Sequence, residues 1–168
     1  MSQQTSPATG QYTDNGTPHS FSTITPFIAV GDPDSAGEFY TSIFGARVLG
    51  CTRMGGQIVH AELGFANGRL QLGAATPDYG LRAPDPNDDT VTGSFGIYCP
   101  DVDATVERAV GAGAVLREEV VTFVSGDRYG SIRDPFGIRW SIMTRVEDLS
   151  DEQSSARVAE WAASFDEG

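Results

Sequence analysis

The chain contains no lysine. All 11 of its basic residues are arginine, set against 23 acidic residues for a formal charge of −12 over 168 residues. That absence removes Schiff-base chemistry and lysine bases, so any cation in a site is an arginine, a planar fork suited to bidentate capture of a carboxylate or phosphate. The shortage of positive charge argues against nucleic acid and anionic membranes as partners, since both require a basic footprint. Cysteine is equally scarce. Cys51 and Cys99 lack CxxC spacing and His-rich company, which argues against a disulfide scaffold or a cysteine-rich zinc site and leaves them as small core residues. No apolar run approaches the roughly 18 residues that span a bilayer, and residues 1–20 lack the basic and apolar regions of a secretion signal, so a cytoplasmic protein is expected.

Residues 1–20 are rich in Ser, Thr, Gln, Gly and Asn and offer almost nothing to bury, so they read as a disordered tail. A strand is expected over 23–30, with Pro26 marking it as an edge. A helix follows from Ser35 to Phe44, because Ala36, Phe39, Tyr40 and Ile43 fall on one face and Gly45 stops it. Three strands are expected near 46–54, 56–65 and 68–74, with Asn67-Gly68 as a hairpin turn.

After an acidic, proline-bearing connection over 76–91 the same order returns. A strand at 95–99, a helix at 101–112 closed by Gly113, and strands near 114–124, 128–133 and 138–144 form a second copy. The run Asp34-Ser35-Ala36-Gly37-Glu38 through Gly45-Ala46-Arg47-Val48-Leu49 parallels Asp103-Ala104-Thr105-Val106-Glu107 through Gly113-Ala114-Val115-Leu116. The fold class is therefore α+β: two tandem βαβββ modules, about 22–75 and 92–147, within one domain over 21–147. A third helix is expected over 148–168, with Ser150 and Gln153 as a capping box. Its stripe of Val158, Trp161, Ala162 and Phe165 packs either on its own module or on a second subunit.

The densest run of constrained residues is Gly126 to Ile142, two strand-like halves around the tight reversal Asp134-Pro135-Phe136-Gly137. Its Asp127, Arg128 and Asp134 read as turn and salt-bridge residues. With this hairpin, the helix end Phe39 to Ala46, and the segment His60 to Leu63, the paired modules resemble the vicinal oxygen chelate superfamily, also called the glyoxalase/bleomycin-resistance/dioxygenase superfamily. The likeness covers about 24–144. Within it, the motifs look like the glyoxalase-like branch found beside phosphonate-utilisation genes and labelled demethylubiquinone-methyltransferase-like. The resemblance implies a cup-shaped mixed sheet holding a small molecule on its concave face, and a homodimer.

In metal-dependent members, four ligands come from the first and last strands of the modules. Carried over, these positions are Thr25, Gln71, Phe95 and Ser141. A threonine, an amide, a phenyl ring and a hydroxyl do not make a divalent-metal site, so no metal or other cofactor is expected. Strand alternation sends Val59, Ala61 and Leu63 under the helix and turns His60 and Glu62 to the cup, with Arg69, Gln71, Arg139 and Ser141. The expected ligand wall is Thr25, Phe27, His60, Glu62, Gln71, Phe95, Ser141 and Tyr129. His60 is the sole histidine beyond the tail, and two readings of it stand: a general acid or base oriented by Glu62, or a hydrogen-bonded structural residue. Tyr129 is either a core ring or a pocket donor. The functional expectation is metal-free binding of a small aromatic or planar molecule, with a lyase or isomerase acting through His60, or a metal-dependent enzyme with non-standard ligands, as the alternatives.

Overall fold

Each module starts its helix with an aspartate. Asp32 and Asp101 sit in extended backbone and accept hydrogen bonds from the amides of Ser35 and Ala104, which satisfies donors that the first helical turn leaves free. The computed structural model describes residues 6–165 and divides into two units, residues 1–82 and 83–168. Among the described residues no helix is long and apolar enough to cross a membrane.

In unit one, β1 (Thr13–Asp14) and β2 (Thr17–Pro18) form a small hairpin. The expected disordered tail is corrected here over its described part, while residues 1–5 lie outside the described residues. Asn15 and Gly16 carry the positive φ angles, 46° and 83°, that a two-residue reversal of this kind demands. The main sheet holds β3 (Phe27–Val30), β4 (Arg47–Met54), β5 (Gln57–Phe65) and β6 (Gly68–Ala74) in the order β3-β6-β5-β4, with only the β3–β6 pair parallel. The strand expected from residue 23 begins at Phe27. Before it, Pro26 contributes only its carbonyl, which accepts the Gln71 amide at 2.8 Å. Helix α1 (Pro33–Phe44) buries Ala36, Phe39, Tyr40 and Ile43, the face its period implied, and ends at Gly45 with φ of 68°.

The register of β4 against β5 slips between Thr52 and Arg53, leaving Val59 as an extra residue. Ile58, rather than Val59, therefore joins Ala61 and Leu63 as buried residues of the strand. Cys51 is exposed on β4 and Cys99 is half-buried, so neither is the fully buried core residue expected.

Unit two repeats the arrangement with β7 (Ser94–Tyr98), α2 (Val102–Gly111), β8 (Val115–Thr122), β9 (Asp127–Arg133) and β10 (Arg139–Arg145), ordered β7-β10-β9-β8. Helix α2 buries Val102, Thr105, Val106 and Ala109. Ile132, Trp140 and Ile142 supply the sheet side of this core, exposed by 0%, 3% and 0%. Helix α3 (Asp151–Ala163) carries the expected capping box. It is fastened within its own unit: Ser154 donates to the Ser125 carbonyl at 2.9 Å, Arg157 pairs with Glu147 at 2.8 Å, and Trp161 meets Phe123 edge-on at 4.9 Å.

Candidate functional site

The face of the first sheet opposite α1 gathers most of the residues expected in unit one. Phe27 of β3 is registered with Gln71 of β6, and Gln71 in turn with Glu62 of β5, so these side chains share a face. His60, two residues along β5, lies nearly parallel to Phe27, with ring centroids 6.1 Å apart and 23° between planes. Gly73 makes this approach possible. A Cβ there would stand 2.3 Å from the Val59 carbonyl and 3.0 Å from the tip of the Phe27 ring, so the bulge and the aromatic pair require its absence.

Glu62 is engaged by neighbours on its own face. Arg69 donates to it at 2.6 Å and the Gln71 amide at 3.3 Å. Both members of the Arg69–Glu62 pair are largely buried, so the carboxylate is held by direct hydrogen bonds rather than by water. Among the described residues no hydrogen bond joins His60 to Glu62, and the expected orientation of His60 by Glu62 is not found. Arg69 also reaches back to the chain before β3. Its Nε donates to the Ser20 carbonyl at 2.8 Å, and its guanidinium stacks 3.9 Å over the Phe21 ring. Thr25 is half-buried just ahead of β3.

In unit two, Ser141 is registered with both Ser131 and Gly96. Tyr129, two residues before Ser131, shares their face and meets Phe123 edge-on at 6.2 Å. Phe95 does not join them. Its register partner is Trp140, and the two rings lie 5.4 Å apart, so Phe95 belongs to the α2 side of the sheet. The cause is a one-residue difference between the modules: Asp32 and Asp101 are 69 positions apart, whereas Gln71 and Ser141 are 70 apart. Equal spacing of the four carried-over positions therefore put Phe95 on the wrong side of the strand, since a shift of one residue reverses every side chain.

The same face carries a cluster that the sequence reading missed. Arg133 of β9 is directly opposite Arg139 of β10, and both reach Asp89 of the connection before β7. Arg117 of β8 pairs with the second oxygen of Asp89 at 2.6 Å. The available signal was the alternation Arg133, Ser131, Tyr129 on one face and Arg139, Ser141 on the next strand. What joins the cluster is Asp89, which lies outside any repeating pattern.

A search of family models matches residues 20–142 to the glyoxalase/bleomycin resistance protein/dioxygenase superfamily. The chain belongs to this superfamily. An uncharacterised protein of Mycobacterium tuberculosis is 30% identical over 139 residues, covering 81% of this chain and 82% of that relative. Among solved structures, TioX from Micromonospora is 25% identical with a TM-score of 0.58, covering 74% of this chain and 98% of that one. A PhnB protein from Bacillus cereus, 15% identical with a TM-score of 0.58 over 73% of this chain and 99% of its own, shares the fold alone.

Superfamily members that work through a divalent metal bind it with His and carboxylate donors, and the residues present do not fit that group. Among the described residues no three of His, Cys, Asp and Glu stand together. Gln71 is a weak donor already turned to Glu62, Glu62 is held by a guanidinium, and Ser141 offers a neutral hydroxyl.

Proposed function

We propose that this chain binds a small, flat organic molecule on the sheet faces opposite its helices, without the divalent metal used by other members of the superfamily. The observation that carries the reading is the state of Glu62. Its carboxylate is neutralised by Arg69 and hydrogen-bonded by Gln71, which favours a preformed polar floor over a metal ligand. In unit one, Phe27 and His60 supply a stacking surface beside that floor, with Thr25 half-buried just ahead of β3; in unit two, Ser141 and Tyr129 put polar groups on the face opposite α2. Phe95 has no part in it.

Metal analysis of the purified protein, combined with a thermal-shift screen of planar compounds, tests this reading. The expected result is sub-stoichiometric metal and hits that weaken about tenfold in Phe27→Ala, as loss of one aromatic contact implies. A stoichiometric divalent ion that disappears in Glu62→Gln would overturn it.

A second reading has one observation in its favour. The half-buried His60 imidazole has no hydrogen-bond partner among the described residues, which leaves its ring nitrogens free to exchange protons with a substrate. On this reading the chain is a lyase or isomerase with His60 as acid or base, and a His60→Ala variant that keeps full turnover rules it out. The finer kinship with the phosphonate-associated glyoxalase-like branch, a homodimeric state and a cytoplasmic location belong to the same proposal. A monomer by size-exclusion chromatography would remove the dimer from it.

A further inference from the structure

Three guanidinium groups converge on one residue of unit two, Asp89: two on its carboxylate and one on its backbone carbonyl. Arg133 is only 8% exposed, and Asp89 pairs with it through one oxygen and with Arg117 through the other. Arg139 donates to the backbone carbonyl of Asp89, at 3.2 Å, and among the described residues makes no bond to its carboxylate. Two buried donors in this cluster, Nε of Arg133 and Nε of Arg139, have no hydrogen-bond partner among the described residues. Buried donors of this kind are ordinarily satisfied, and charged ones at greater cost when they are not. Arg133 and Arg139 also face each other directly across β9 and β10, an arrangement that like charge disfavours unless an anion lies between. The Asp89 carboxylate pairs with only two of the three arginines, which leaves hydrogen-bonding capacity unfilled in a chain whose overall charge is −12.

The carboxylate that does occupy the cluster comes from a loop. Asp89 lies in no helix or strand, on a segment shaped by local turns in which Asp85 accepts the Asn87 amide and Asp88 the Thr90 amide, each at 2.8 Å. Asp88 also feels the charge of Arg133. Its carboxyl is held below the usual range first by the Thr90 amide and hydroxyl and only to a lesser degree by Arg133. We propose that Arg117, Arg133 and Arg139 form an oxyanion subsite for a small molecule bearing a carboxylate or phosphate, and that Asp89 fills it as a tethered carboxylate until ligand displaces it. Planar forks on three strands fit either group bidentately. The subsite lies along the face that bears Ser131, Ser141 and Tyr129, and all its named residues belong to unit two, so it goes beyond the unit-one floor described above and survives the failure of that reading.

A tethered competitor acts at an effective concentration of order millimolar, so removing it raises apparent affinity for a free anion. Calorimetric titration with inorganic phosphate and, separately, succinate distinguishes the two chemistries at constant ionic strength. Asp89→Asn is expected to bind at least one of them about tenfold tighter than the unaltered chain. Asp89 is half exposed, so this change is tolerated by the fold. Adding Arg117→Gln and Arg139→Gln to Asp89→Asn is expected to abolish the gain, and the buried Arg133 is left in place to preserve folding. Equal affinity in Asp89→Asn and the unaltered chain, a gain that chloride reproduces, or a gain that persists without Arg117 and Arg139 would overturn the proposal.

Discussion

The Trp140 indole donates to Asp134 at 2.9 Å, tying the last strand of unit two to the turn that precedes it. The other Asp134 oxygen accepts the amides of Phe136 and Ile138, both at 2.9 Å, so one side chain closes the reversal and fixes the ring that fills the core. Asp134 is only 2% exposed. Asp134→Ala would strand three donors in a buried setting, and a loss of about 3 kcal/mol or more is expected. Trp140→Phe keeps the ring and forfeits one bond, for about 1 to 2 kcal/mol. Urea unfolding followed by far-UV circular dichroism checks the order. Equal stability of Asp134→Ala and the unaltered chain would remove Asp134 from this role.

The hairpin at Asp134 illustrates what the sequence exposed. Local chemistry was legible wherever one residue type has one use: Gly45 as a helix stop, Asp134 to Gly137 as a reversal, and Ser150 with Gln153 as a capping box, while the hairpin expected at Asn67-Gly68 turns one residue earlier, at Ala66-Asn67, with Gly68 already in β6. The repeat then supplied the architecture. Register was less legible, because it depends on a count. Phe95 was misplaced by one residue, and Val59 by a bulge that no pattern of apolar residues announces. Asn15-Gly16 carried the same signal as Asn67-Gly68 but stood in a polar segment with nothing to bury. Asp89 was invisible for a different reason. Its partners are 28 to 50 residues away in sequence, and only the sheet brings them together.

Gly73 makes the bulge at Val59 testable. The Cβ of an alanine there would fall 2.3 Å from the Val59 carbonyl, a backbone atom with little room to give. Gly73→Ala is therefore expected to cost about 3 kcal/mol, at the upper end of overpacking effects. It should also part Phe27 from His60, since the same Cβ meets the Phe27 ring. A shift of the His60 ring proton resonances in Gly73→Ala, absent in the control Gly68→Ala, is the corresponding signature. Gly68 has no heavy atom within 4 Å of its added carbon.

Arg69 holds the segment before β3 to the sheet through the Ser20 carbonyl and the Phe21 ring, while its Nη1 serves Glu62. Arg69→Gln removes the charge, the stacking cation and the fork together. A stability loss of about 1 to 3 kcal/mol is expected, because Glu62 loses its charged partner at a largely buried position. Faster proteolytic cleavage near Ser20 and Phe21 should accompany it. Unchanged cleavage there would mean that the segment is held by contacts other than Arg69.

The acid limb of stability should depend on two pairs that tie the first turn of each module's helix to its sheet, Asp34 with Arg53 of β4 and Asp103 with Arg128 of β9. Both aspartates have carboxyls held below the usual 3.8, first by the arginine hydrogen bond, in bidentate contacts that include Arg128 at 2.6 and 2.7 Å from Asp103. A carboxyl depressed in the folded state adds stability that is present above the unfolded value and lost as pH falls through the folded one. Arg53→Gln and Arg128→Gln are therefore expected to be less stable than the unaltered chain at pH 7, with the difference shrinking below pH 3.8 as the aspartates protonate in both. Both pairs are exposed at the surface, so the effect is small and is largest at low salt. Urea midpoints at pH 7 and along the acid limb measure it, and a gap that widens on acidification would show that these arginines act through some other contact.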